Sequence, residues 1–196
     1  MIYIIRHGQT AWNLQKRKQG QRDSPLTYKG IQQAIAVSEF INNNIVGVED
    51  YKFIISPQWR CQQYSSIICD LVGKQFSDCI MEENLREHSF GSWEGKTEDE
   101  IEIQFPKFLE RRYKPENYWN FIVPMGESYE LLSNRVLKVV EKYKNQKIIF
   151  ICHEMVSKVM RGHLLKMTNK ATLQLNHPQD TIYHVYDNKL HTLKIK

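Results

Sequence analysis

The 196-residue chain is poor in several features that would assign it to a special class. No apolar run approaches the ~20 residues that a membrane-spanning helix needs. The N-terminus passes from an Ile-rich stretch directly into Arg6, with no apolar region before a small-residue cleavage site, so neither a membrane contact nor a secretory leader is indicated. A cytoplasmic protein is the expectation. Cysteines number only four (Cys61, Cys69, Cys79 and Cys152), without a C-x-x-C pair or zinc spacing, so reduced and mostly buried thiols are expected. Cys152, beside His153, reads as a small core residue at a strand end. There is no internal repeat, low-complexity linker or heptad stripe to fix an oligomeric state. The net charge of +5 comes from scattered basic residues, and the one basic cluster, QKRKQGQRD at 15–23, is short. No nucleic-acid partner is expected, and the charge suits an enzyme that attracts a small phosphorylated anion.

What is present describes one ordinary domain over 1–196, since 41% apolar and 25% charged residues are typical of a soluble fold. Short apolar runs at 2–5, 53–55, 79–81, 148–151 and 182–186 predict strands, several of them covered on both faces. Between them, Thr27 caps a helical pattern carrying Ile31, Ala34, Ile35 and Ile41, and Pro57 opens another carrying Cys61, Tyr64, Ile68 and Leu71. A third stripe runs through Leu131, Leu132, Arg135, Val136, Val139, Val140 and Tyr143. A final hairpin turns near Asp187-Asn188. The order predicts an α/β fold, a three-layer α/β/α sandwich with a mostly parallel central sheet, whose chemistry lies beyond the carboxyl ends of the strands. Residues 97–127, with Phe105, Phe108, Tyr113, Tyr118, Trp119 and Phe121 among basic residues, form either a lid-like insertion over a substrate or a helical excursion packed on the sheet edge.

Three strand ends lead into polar residues suited to phosphoryl chemistry: Arg6-His7, Ser56-Pro57 with Arg60, and His153. A guanidinium grips phosphate oxygens as a fork and keeps its charge at any working pH, which suits Arg6 and Arg60 to a transferring phosphoryl group. His153 adds a donor. His7 is the natural nucleophile if it stays neutral with its other ring nitrogen held by a backbone carbonyl, and Gly8 lets the main chain approach closely. In NLREHSFGSWEGK, Glu87 lies among apolar and aromatic residues that would raise its pKa toward that of a proton donor to a leaving alcohol. His88, His163, His177, His184 and His191 read as surface or packing residues.

Together, Arg6-His7-Gly8 with Asn13, GQRDSPLTYKGIQQA, Ser56-Pro57 with Arg60, LREHSFGSWEG and His153 resemble the histidine phosphatase superfamily, also called the phosphoglycerate mutase family, from residue 2 to about 185. The resemblance implies a phosphoglycerate mutase-like fold and phosphorylation of His7 in turnover. It implies that Arg6, Arg60 and His153 hold the phosphoryl group, and that Glu87 is general acid and then base. It further implies that Asn13 and the backbone around Gln19 and Gly20 contact substrate, and that no metal or other cofactor is used. HEMVS at 153–157 lacks the second histidine of a zinc-protease motif, since Ser157 stands in its place.

The family usually has glycine after its second histidine, where this chain has Glu154. A carboxylate there either narrows the phosphate pocket or simply begins the next helix and points outward, and the outward orientation is the expectation. His88-Ser89-Phe90 after the acid and the short chain resemble the phosphatase branch. The expected activity is phosphomonoester hydrolysis of a small phosphorylated metabolite. Two alternatives stand beside it: a 2,3-bisphosphoglycerate-dependent phosphoglycerate mutase, and a phospholigand-binding protein weakened in turnover.

Overall fold

The two runs richest in isoleucine, β1 (Ile2–Arg6) and β4 (Ile148–Cys152), lie side by side at the centre of the sheet, because side chains apolar on both faces need cover on both. They pair in parallel from Ile2 opposite Ile148 to Arg6 opposite Cys152. The computed structural model describes residues 1–114 and 118–195. β2 (Lys52–Ile55) flanks β4 and β3 (Ile80–Met81) flanks β2, both parallel. On the other side, β5 (Thr181–Tyr186) joins β1 antiparallel and β6 (Lys189–Lys194) completes the sheet, in the order β3-β2-β4-β1-β5-β6. The closing hairpin turns at Asp187 and Asn188, both left-handed, the pair of positive φ angles that a two-residue type I′ turn demands.

Alternation along the strands divides the core. Ile5, Ile55 and Ile151 face α2 (Tyr28–Asn44) and α3 (Trp59–Val72), whereas Ile4, Ile54 and Phe150 face α6 (Tyr129–Tyr143) and α7 (Glu154–Leu164). Each such side chain contributes about 1.5–3 kcal/mol by leaving water. The three-layer sandwich follows. Thr27 caps α2 by accepting from Gly30 N, as expected. α3 starts at Trp59, two residues beyond Pro57, because Gln58 is extended at the cap. β3 departs from the pattern: as a two-residue edge strand it leaves Ile80 and Met81 exposed. Ile35, Leu71 and Leu131 lie off the buried stripes of their helices and are exposed too. Among the described residues, no helix is long and apolar enough to cross a membrane.

Residues 97–127 contain α4 (Glu98–Gln104) and α5 (Phe108–Tyr113), and the short helices α1 (Ala11–Leu14) and α8 (Asn169–Gln174) lie elsewhere. The aromatics of this segment do not pack on the sheet edge alone. Phe105, Phe108, Leu109 and Phe121 gather on Phe90, Trp93, Ile101 and Val123 as a separate apolar cluster, while Tyr118 and Trp119 lie against Tyr129 of α6. The side chain of Tyr113 and residues 115–117 lie outside the described part. All four cysteines are free, and Cys69 and Cys79 bring their Sγ atoms to 3.4 Å.

Because β1, β2 and β4 run in the same direction, their carboxyl ends reach one edge of the sheet together. His7 N donates to Cys152 O and Ser56 N to Ile151 O, each at 3.0 Å, which extends the sheet ladder into the polar residues that follow.

Candidate active site

At that edge, Arg6, His7, Asn13, Gln19, Gly20, Arg60 and Glu87 line one cavity of about 180 Å³, with Arg17, Lys18, Phe90, Glu154 and Met155 completing its wall. Seven of the eight expected site residues thus meet in one place. His153, the eighth, is fully buried behind the wall, with its ring centroid 5.2 Å from that of His7 and its Nε2 2.7 Å from Ser56 Oγ.

The ring of His7 is pinned at both nitrogens. Nδ1 lies 2.7 Å from Gly8 O, an atom that only accepts, so Nδ1 carries the proton. Nε2 therefore holds a lone pair, and it accepts from Arg60 Nε at 3.2 Å. Burial, and then the charges of Arg60 and Arg6, hold the imidazole well below its ordinary pKa, so it stays neutral. His153 is likewise held well below its ordinary pKa, by burial and then chiefly by the Arg60 charge. Gly8 permits the close approach: a Cβ there would sit 2.5 Å from Gly30 O and 2.8 Å from the ring of Tyr64.

Arg60 comes from the first turn of α3 and is immobilised. Nη1 donates to Arg22 O at 2.8 Å and Asp23 Oδ1 at 2.7 Å, and Nη2 donates to Gly20 O at 2.8 Å. Asp23 also accepts from Trp59 N and Arg60 N, capping a helix whose own Gln58 makes no capping bond. Gln58 is used elsewhere: its amide nitrogen donates to Gly20 O at 2.9 Å and its amide oxygen accepts from Glu87 N at 2.5 Å.

Glu87 repeats this arrangement at α7. His153 caps that helix without a side-chain bond, and the Glu87 carboxylate accepts from Met155 N and Val156 N at 3.4 Å, and from His88 N at 2.9 Å. These donors and Arg60 favour the anion, but burial outweighs them, and with the nearby Glu154 charge it raises the Glu87 pKa above the ordinary carboxylate value. Arg135 holds the Glu87 carbonyl at 3.0 Å while paired to Glu127 at 2.6 Å.

Arg6 Nη1 donates to His177 O at 2.7 Å and lies 2.9 Å from Glu154 Oε2. His177 is itself fixed by Ser157 Oγ and Thr181 O. The expected outward orientation of Glu154 is corrected here: the residue does begin α7, but its side chain turns into the cavity, drawn by the Arg6 guanidinium. Among the cavity residues, two leave a buried donor unpartnered, Arg6 at Nε and Gln19 at Nε2. Gln19 spends its oxygen on Thr10 and Ser24, and Asn13 Oδ1 accepts from Thr10 N and Gln179. Neutral ring, fixed cations, free donors and a protonatable carboxyl around one cavity are what a phosphoryl group requires. Sequence reasoning missed Gln58, Asp23, His177 and Arg135, which touch the site only through other residues.

Comparison with known proteins gives related sequences and folds. The model of the histidine phosphatase superfamily (branch 1) matches residues 2–192. Among curated proteins, the "Probable phosphoglycerate mutase GpmB" of Enterobacter sp. (strain 638) is 38% identical over 135 residues, covering 69% of this chain and 59% of that protein. Its Escherichia coli O1:K1 / APEC counterpart is 33% identical over 144 residues, covering 74% and 63%. The chain thus spans about three fifths of the length of these relatives. Among solved structures, the alpha-ribazole phosphatase of Shigella flexneri superposes with a TM-score of 0.82 at 18% identity, covering 99% of this chain and 95% of that one. Bacillus stearothermophilus YhfR gives 0.76 at 25% identity, covering 98% and 95%.

Proposed function

Because the chain belongs to the histidine phosphatase superfamily, branch 1, we propose that it hydrolyses small phosphomonoesters without a metal, through a phosphohistidine on His7 with Glu87 as general acid and base. The observation that carries this reading is the pinned ring of His7, which presents an unprotonated Nε2 in a cavity shared with Glu87. The bound phosphoryl oxygens take Arg60 Nε, Arg6 Nε and Gln19 Nε2 as donors, with His153 behind. His7 Nε2 attacks phosphorus, the ester P–O bond breaks, and the leaving oxygen receives the Glu87 proton. Glu87, now a carboxylate, takes a proton from water. The hydroxide formed attacks phosphorus and the P–N bond breaks, releasing inorganic phosphate and restoring both residues. The described residues of the 97–127 segment fit a lid over the distal part of the substrate, tied down where Arg17 meets Glu100 and Lys18 meets Glu98, each at 2.6 Å.

His7→Ala should abolish phosphate release from p-nitrophenyl phosphate with the circular dichroism spectrum unchanged, and persistent turnover would overturn the phosphohistidine. The names of the curated relatives favour a second reading, phosphoglycerate mutation. Incubation with 3-phosphoglycerate and a trace of the bisphosphate separates the two: isomer formed faster than phosphate would establish the mutase.

A further inference from the structure

Glu154 lines the cavity but neither attacks nor exchanges a proton in the proposed hydrolysis. Its two oxygens lie 2.9 Å from Arg6 Nη1 and 3.8 Å from Lys158 Nζ, and its side chain is only a quarter exposed. The remaining cations of the cavity wall are also matched by carboxylates: Arg17 by Glu100, Lys18 by Glu98 and Arg60 by Asp23. Each of the four wall cations is therefore paired to a carboxylate, with Lys158 beyond the wall as a second and longer partner of Glu154. The unpartnered buried donors of the cavity residues, Arg6 Nε and Gln19 Nε2, suffice for one phosphoryl group. A second anionic group on the same substrate finds every wall cation already paired and meets the Glu154 carboxylate, in surroundings dry enough for the repulsion to count. A neutral alcohol meets no such repulsion, and an ammonium group gains an acceptor.

We propose that Glu154 determines specificity, rejecting phosphomonoesters whose alcohol part carries a second negative charge and favouring neutral or cationic alcohols. The inference rests on the phosphatase reading of the same cavity. It separates this chain from any enzyme built for phosphoglycerates, whose carboxylate would stand against Glu154.

Glycerol 3-phosphate and 3-phosphoglycerate differ in a hydroxymethyl against a carboxylate, and O-phosphoethanolamine supplies a cation. For the wild-type protein, kcat/KM for 3-phosphoglycerate should fall below that for glycerol 3-phosphate by on the order of tenfold, with O-phosphoethanolamine at least equal to the latter. Glu154→Gln should close most of that gap by improving 3-phosphoglycerate. Equal kcat/KM for the two esters in the wild type, or an unchanged ratio in the variant, would overturn the proposal. If the wild type hydrolyses none of the esters, the phosphohistidine reading fails alone, and calorimetric Kd values for the same two esters decide the charge filter. 3-Phosphoglycerate should then bind more weakly than glycerol 3-phosphate to the wild type, and equal affinities would end the proposal.

Discussion

Arg60 Nε donates to the lone pair of His7 Nε2 at 3.2 Å, so in the proposed reaction the attacking atom is held by the same guanidinium that would receive the phosphoryl oxygens. A planar fork makes this possible, since Nη1 and Nη2 remain anchored to Arg22 O, Asp23 and Gly20 O while Nε changes partner.

Arg60→Lys keeps the charge and loses the fork. The variant should fold, because an ammonium can still meet Asp23, but kcat on p-nitrophenyl phosphate should fall about 10²–10³-fold, the usual cost of a lost transition-state donor. Retention of more than a tenth of wild-type kcat would show that charge alone suffices.

Glu87→Gln should slow alkyl phosphates by about 10²–10⁴-fold, and p-nitrophenyl phosphate far less, because only the poor leaving group needs a proton. The wild-type profile should rise through the lowered pKa of His7, which must be neutral, and fall through the raised pKa of Glu87, which must be protonated. For alkyl phosphates the alkaline limb should vanish in the variant. Its survival would assign the limb to another group.

His88 is fully buried between Phe90 and Tyr129, with neither ring nitrogen partnered. Burial, and then Arg112 and Arg135, hold its pKa well below 6.5. The folded state thus refuses a proton that the unfolded chain accepts, and its contribution to stability, present above pH 6.5, is lost as pH falls toward the lowered value. His88→Phe should stabilise by about 1 kcal/mol at pH 8 by removing unpaired polar atoms. The gain in Tm should grow at pH 5, and a constant difference would deny the titration.

Gly8→Ala places a methyl against Gly30 O and the Tyr64 ring. Overpacking of this kind costs about 1–3 kcal/mol. Denaturant unfolding should report that loss together with reduced turnover, because the carbonyl that pins His7 Nδ1 belongs to residue 8.

Several residues of the candidate site were legible because they sit at strand ends: Arg6 closes β1 and His7 follows it, Ser56 follows β2 and His153 follows β4. The layers were legible from apolar runs that need cover on both faces. The supports were not. Asp23 and Glu87 cap α3 and α7 from distant loops, and no local spacing encodes a cap supplied through tertiary packing. Glu154 shows the limit most clearly. Its place at a helix start could be read from its neighbours, whereas its direction is set by Arg6, which arrives from the opposite end of the chain.

Gln58 touches neither the nucleophile nor a leaving group, yet one end of its amide holds the loop that anchors Arg60 and the other holds the main chain of Glu87. In the proposed reaction it works as a calliper, fixing the span between the loop that anchors Arg60 and the main chain that carries the Glu87 carboxyl. Neither Glu, whose carboxylate oxygens only accept, nor Met, whose thioether has no proton to donate, can grip a carbonyl and an N–H at once. In that reaction the reach of the site is set by the polarity of a single amide.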